Sequence, residues 1–230
     1  MGVRVSTGLH KLDRALQGGF ERGELTLMYG EPGAGKTTLA LQVVVSGLLQ
    51  GLHVLYVYTD GVFPYPRLKR LRGFVGADAP MSVAHVVSFD DVKRIVRSIE
   101  LGSLGGYDIV VFDTFTGPYR SIPIERRDEV VKHNKELCQL TAILKFCSKE
   151  LGMITLITSR LRSKSLTVEG FLVEEPVASN VLTYWSDNVI SMSKMDLPQF
   201  RVIGLLKSHG KGLDLEFKAR IAEDGLKEVG

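Results

Sequence analysis

Apolar residues recur along the chain in two rhythms. Short apolar runs of strand length fall at 25–29, 53–58, 83–87, 108–113 and 153–158. Between them, apolar residues step by three and four. Leu9, Leu12 and Leu16 predict a helix that stops at Gly18-Gly19-Phe20. A second helix opens at Thr38. Val92, Ile95, Val96 and Ile99 make the stripe of a helix over 90–101, with Asp90 or Asp91 as its cap. Leu137, Leu140, Leu144, Cys147 and Leu151 mark a long helix over about 126–150. Pro64, Pro66 and the run Arg67-Leu68-Lys69-Arg70-Leu71 predict a loop and a short helix. Residues 159–178 carry little periodicity, and 176–186 reads as a helix. Last come strands at 188–193, 200–207 and 213–221, read as an antiparallel edge with Gly210 and Gly212 at a turn. Strand–helix alternation followed by a meander predicts an α/β fold, a mostly parallel sheet flanked by helices with antiparallel C-terminal strands.

Composition narrows this picture only a little. A chain of 230 residues suits one large α/β domain over 1–230. No apolar run approaches the length a bilayer needs, and the first residues lack a signal peptide's apolar core. Cys138 and Cys147 fall in one predicted helix, too far apart to bridge, and no Cys/His cluster has zinc spacing. A reducing, cytoplasmic setting is the expectation. A net charge of +3 does not by itself indicate nucleic acid.

The informative stretch is Gly30-Glu31-Pro32-Gly33-Ala34-Gly35-Lys36-Thr37, which reads G-x-x-x-x-G-K-T between a strand and a helix. Glycines let the backbone curl so that successive N–H groups face an anion, and the helix that follows aims its own N–H groups at the same point. Lys36 is expected on the outer phosphates, Thr37 on Mg²⁺, and Thr38 beside the nucleotide. The run 108–113 ends in Asp113 at the edge of a parallel strand where ligands sit, so Asp113 is expected to hold Mg²⁺ through water. The competing reading of Asp113 is an acidic loop cap.

Three segments together resemble the RecA/RadA recombinase core, and most of all its archaeal RadB-like branch. They are Ser6-Thr7-Gly8-Leu9-His10-Lys11-Leu12-Asp13 leading into Gly18-Gly19-Phe20-Glu21-Arg22-Gly23-Glu24, the phosphate loop running on as Thr38-Leu39-Ala40-Leu41-Gln42, and Asp113-Thr114-Phe115-Thr116-Gly117-Pro118-Tyr119-Arg120. The C-terminal third agrees through Asp187-Asn188-Val189-Ile190, Phe200-Arg201-Val202-Ile203 and Lys207-Ser208-His209. The resemblance implies a RecA-like P-loop NTPase core binding ATP and Mg²⁺, without an N-terminal DNA-binding domain.

It also implies roles, and the chain departs from two of them. Where the family carries Asp-Thr-Glu-Gly, this sequence has Tyr58-Thr59-Asp60-Gly61, so Asp60 takes the place of the water-polarising Glu, one methylene shorter. Where the family carries Thr-Asn-Gln, with the Gln sensing the γ-phosphate, this sequence has Thr158-Ser159-Arg160, and Arg160 is open to a phosphate or to DNA. Arg67 matches an adenine-stacking arginine, against the alternative of a solvated helix residue. The family's DNA-facing loops map onto Tyr119, Arg120, Arg126 and Arg127, and onto Arg160, Arg162 and Lys164. Those cations suit sequence-independent phosphate contacts, and Tyr119 a base stack, against the alternative of solvated loops. Lys207 and His209 map near a subunit junction, with a plain strand end as the stronger reading. The expected function is an ATP-binding, slowly hydrolysing accessory of homologous recombination and DNA repair that contacts DNA and a RadA-like main recombinase. Two alternatives stay open: a nucleotide-gated interaction module that does not hydrolyse, and a KaiC-like regulatory ATPase.

Overall fold

The structure, a computed structural model, describes residues 3–71, 79–120, 127–162, 167–168, 171–172, 175–176 and 179–229. At 120, 127–130, 162, 167–168, 171–172, 175–176 and 179 it describes the backbone only. The chain opens with a small antiparallel pair, β1 (Arg4–Val5) and β2 (Phe20–Glu21), joined by α1 (His10–Ala15). Asp13 holds this preamble together. Its carboxylate accepts from the Thr7 N–H and hydroxyl, both at 2.7 Å, and from the Ser6 hydroxyl at 2.6 Å. Gly19 is required here, because a Cβ would lie 2.2 Å from the Val5 carbonyl oxygen.

The body then alternates. In order come β3 (Leu25–Gly30), α2 (Lys36–Leu49), β4 (Val54–Tyr58), α3 (Tyr65–Arg70), β5 (Met81–His85), α4 (Phe89–Glu100), β6 (Ile109–Asp113), α5 (Gly117–Arg120), α6 (Arg127–Leu151) and β7 (Ile154–Arg162). Short strands β8 (Thr167–Val168), β9 (Phe171–Leu172) and β10 (Glu175–Pro176) lead to α7 (Ser179–Trp185), β11 (Asn188–Lys194), β12 (Phe200–Ser208), β13 (Lys211–Ala222) and β14 (Gly225–Glu228). The main sheet runs β14-β13-β12-β11-β3-β7-β6-β4-β5. From β11 to β5 every neighbouring pair is parallel, and from β11 through β14 every pair is antiparallel. This is the α/β sheet the alternation predicts.

The strand period of two sorts side chains between two cores. Along β6, Ile109 and Val111 enter one core with Leu39, Val43 and Val44 of α2. Val110 and Phe112 enter the other with Val92 and Val96 of α4 and Leu140 and Leu144 of α6. A sheet covered on both faces needs continuous apolar strands, which is why 108–113 reads as an unbroken run. Gly47 lets α2 settle on the sheet, since a Cβ there would meet Ile109 Cδ1 at 2.2 Å.

Several boundaries differ from the sequence reading. The strand 188–193 is not part of an antiparallel edge on both sides: β11 lies parallel to β3, with Asn188 beside Thr26. The crossover through α7 brings it there, and Asp187 fixes the entry by accepting from the Leu25 N–H at 2.8 Å and from Lys145 Nζ at 2.6 Å. The cap of α4 is Ser88, not Asp90 or Asp91. Its hydroxyl accepts from the Asp91 N–H while Asp91 accepts from the Ser88 N–H, a capping box. Leu151 is 53 % exposed, because α6 ends as its stripe leaves the core. The strand expected at 83–87 sits at 81–85, in register with β4. The strand expected at 153–158 runs on to Arg162, where β10 pairs with its far end. Neither β14 nor the β1–β2 pair is signalled by the hydrophobic pattern.

Ser88→Ala is expected to cost about 1 kcal/mol in chemical denaturation at neutral pH. Ser88 Oγ and the neighbouring backbone N–H groups hold the Asp91 carboxyl down at about 2. With its folded pKa depressed, that carboxylate stabilises above its unfolded value near 3.8, and the contribution disappears as pH falls toward 2.

Candidate nucleotide site

The C-terminal edges of β3, β4, β6 and β7 converge on a cleft of about 360 Å³. Its walls include Gly33, Gly35, Lys36, Thr37, Thr38, Tyr58, Asp60, Val62, Pro64, Arg67, Asp113 and Arg160. Parallel strands deliver their C-terminal residues to one edge, so residues far apart in sequence meet there.

The loop between β3 and α2 has the shape its glycines allow. Gly33 and Gly35 sit at φ of +78° and +106°, in the left-handed region. Gly30 lies against β11, where a Cβ would stand 2.0 Å from the Met192 carbonyl oxygen. Gly35 is the N-cap of α2, and no side chain caps that end. The first-turn N–H groups of a helix lack intrahelical partners, so this terminus faces the cleft as a concentration of donors and positive dipole.

Lys36 is 7 % exposed and folds back over the loop. Its ammonium donates to the Gly30 carbonyl at 2.8 Å and the Glu31 carbonyl at 2.9 Å. Burial lowers its pKa to about 8, with Asp113 and Glu31 opposing that shift and Arg160 and Lys194 adding to it. Asp113, also buried, accepts three hydroxyls. Thr37 at 2.7 Å and Tyr56 at 2.8 Å donate to Oδ2, and Thr158 at 2.6 Å donates to Oδ1. Burial and the Asp113 charge and hydrogen bond push the Tyr56 hydroxyl well above its usual pKa. The structure thus places Lys36, Thr37 and Asp113 together.

Four supporting side chains lie beyond the sequence reading. Tyr56 and Thr158 orient Asp113. Arg201, from β12, is nearly buried and donates to the Gly33 carbonyl from Nε at 3.2 Å and Nη2 at 3.0 Å. The Glu31 side chain accepts from the Lys194 N–H at 2.7 Å, tying the loop to the end of β11. Period-two alternation in 54–58 and 154–158 puts Tyr56 and Thr158 on definite faces, but not opposite Asp113; that follows from strand order.

Asp60 and Arg160 line the cleft and form an ion pair with each other through Oδ2 and Nη2. Arg160, read as open to phosphate or DNA, stands on the wall of this cleft. Arg67, on α3, is exposed on the rim of the cleft and also borders a second cleft of about 450 Å³ with Pro66, Arg70 and Glu223.

The expected DNA-facing cations are described unevenly. Arg126 and Lys164 lie outside the described residues, and Arg120, Arg127 and Arg162 are placed by backbone alone. Tyr119 is not displayed for base stacking. It is buried, its ring meets Phe89 edge-on at 5.7 Å, and its hydroxyl donates to Asn134 Oδ1 at 2.6 Å. Lys207 and His209 sit at the opposite edge of the sheet. Lys207 Nζ donates to the Thr183, Tyr184 and Ser186 carbonyls, closing the C-terminal turn of α7. His209 Nδ1 lies 2.5 Å from Glu24 Oε1. Both act as strand-end supports. Among the described residues, no helix is long and apolar enough to cross a membrane.

A family model described as "ATPase: KaiC" matches residues 5–62, from the preamble through the phosphate loop to just beyond β4. The chain is 29 % identical to the DNA repair and recombination protein RadB of Thermococcus kodakarensis, over 98 % of this chain and 99 % of that one. It is 29 % identical to RadB of Methanosphaera stadtmanae over 94 % and 92 % of the two chains. A solved structure titled "Crystal structure of the RadB recombinase" superposes with a TM-score of 0.77 at 27 % identity, covering 98 % of this chain and all of that one. The fold, the phosphate loop and these near full-length matches agree in supporting a RadB-like ATPase of the RecA family.

Proposed function

We propose that the chain binds ATP with Mg²⁺, hydrolyses it slowly, and serves as an accessory of DNA repair and homologous recombination that contacts DNA and a RadA-like main recombinase. The observation that carries the nucleotide half is the meeting of Lys36, Thr37 and Asp113 at an uncapped helix terminus. The recombination half rests on the RadB relatives.

The donor set fits Mg²⁺. Thr37 and Asp113 offer hard oxygen ligands within one hydrogen bond of each other, and Thr158 and Tyr56 keep the carboxylate aimed. Thr37 would bind the ion directly and Asp113 through water. The ion would neutralise phosphate charge. Lys36 exchanges its two loop carbonyls for the outer phosphates and carries the charge that develops on them. Asp60 orients the water that adds to the terminal phosphorus as the bridging P–O bond breaks to leave ADP and phosphate. Its short arm and its tie to Arg160 make turnover slow. That tie also favours the second reading, a nucleotide-gated module that does not hydrolyse. Lys36→Ala and Asp60→Ala separate the two: loss of function in both supports hydrolysis, and loss in the first alone supports gating.

Two measurements test the nucleotide and DNA halves. Lys36→Ala is expected to weaken ATP binding about 100-fold or more by titration calorimetry. In the wild type, affinity should hold up to about pH 8 and then fall by up to about tenfold per pH unit, because the nucleotide must re-protonate Lys36. Calorimetry in buffers of different ionisation heat should show proton uptake at pH 9 and none at pH 7. For DNA, binding to a single strand followed over a salt series alongside ATPase activity should show a steep decline. A footprint of about three phosphates gives a log–log slope of about −2. Salt-independent or absent DNA binding would remove the DNA half.

A further inference from the structure

The contact between Arg201 and Gly33 bears on the direction of a second group, at the other end of the same peptide. Period two along β12 puts Arg201 in one row with Ile203 and Leu205, which belong to the core that packs α2. At the end of that row the guanidinium, 7 % exposed, reaches the phosphate loop. Nη1 donates to the Pro198 and Phe200 carbonyls at 2.7 and 2.6 Å, which sets the plane of the fork. Nε and Nη2 then both donate to the Gly33 carbonyl. The Gly33–Ala34 peptide is trans, so a carbonyl turned toward β12 sends the Ala34 N–H the opposite way, into the loop. There it donates to the Glu31 carbonyl at 3.2 Å, the same oxygen that takes the Lys36 ammonium at 2.9 Å. One oxygen atom thus collects two donors of the kind an anion in this loop needs.

The two ends of that peptide are held unequally. The Ala34 methyl is buried in the core, which anchors its Cα. Gly33 is exposed, at φ of +78°, and a glycine lets the adjoining peptide plane rotate at little cost. Rotation would bring the Gly33 carbonyl into the loop and take the Ala34 N–H out, so that an acceptor faced the anion in place of a donor. Resting on the nucleotide reading above, we propose that Arg201 is a positioning residue for phosphate, holding the Gly33–Ala34 peptide with its N–H toward the anion's seat. It acts through the peptide and needs no contact with the ligand. Without it, the loop binds in proportion to the fraction of molecules whose Ala34 N–H faces inward.

Calorimetric titration of pyrophosphate and of ADP into the full chain, Arg201→Met and Arg201→Lys tests this, together with NMR relaxation dispersion at the Ala34 amide of the ligand-free proteins. Arg201→Met should weaken both ligands by the same factor, about tenfold, because both use the loop. Its Ala34 amide should exchange between two environments whose population ratio matches the loss of affinity, while the amides of β6 stay in one. Arg201→Lys keeps the charge without the planar fork, and its affinity should recover only as far as order at Ala34 recovers. Should the methionine variant fail to fold, the lysine variant carries the same comparison of affinity with order. Unchanged affinity in a folded Arg201→Met, or lost affinity with Ala34 still in one environment, would overturn the proposal. So would a lysine variant that binds like the wild type while Ala34 exchanges, since charge alone would then suffice. A wild type that binds neither ligand overturns the nucleotide reading itself. A wild type that binds both, with Arg201→Met indistinguishable from it, overturns only the role of Arg201.

Discussion

The site depends on one carboxylate and the three hydroxyls that surround it. Asp113 ends β6; its donors come from the first turn of α2, the middle of β4 and the body of β7. A buried charge is tolerated only where hydrogen bonds replace its water, so these four elements must arrive in one relative position. That requirement links the sheet order to the chemistry. If β4 or β7 slipped by one residue, Tyr56 or Thr158 would turn to the opposite core and Asp113 would lose a donor. The loop then has a fixed reference, because Thr37 is bound to the same oxygen atom as Tyr56.

Around this centre, charge is distributed unequally. Lys36 is buried and depressed to about 8, whereas Arg160 and Asp60 stand in the half-open cleft. The buried cation is costly to hold and is positioned by the Gly30 and Glu31 carbonyls. The exposed pair is cheap to break. A site built this way combines a buried lysine seated on backbone carbonyls with a half-exposed ion pair at its mouth.

Much of this was legible in the sequence because the signals are local. The apolar run ending in Asp113, the G-x-x-x-x-G-K-T loop and the helical stripes of α4 and α6 each declare themselves within a few residues. The misplaced features depend on distant partners. Residues 188–193 look the same whether paired parallel or antiparallel, and only the α7 crossover and the Asp187 contact with Leu25 decide it. Tyr119 reads as an aromatic on a basic loop until Asn134 and Phe89 bury it. Ser88 caps α4 although the two acids after it are the more conspicuous signal in the sequence. The Asp60–Arg160 contact joins residues 100 positions apart, with no pattern in either neighbourhood to announce it.

The Arg201 contact with Gly33 bears on the order in which the protein assembles. The loop and its supporting arginine are 168 positions apart in the sequence. Contacts of such separation are entropically the slowest to close. During synthesis the phosphate loop is made early, and α2 can begin to pack on β3 well before β12 exists. The backbone turn at Gly33 is braced only when the antiparallel strands have docked, so the nascent chain carries a complete phosphate-loop sequence long before it has a complete phosphate-loop geometry.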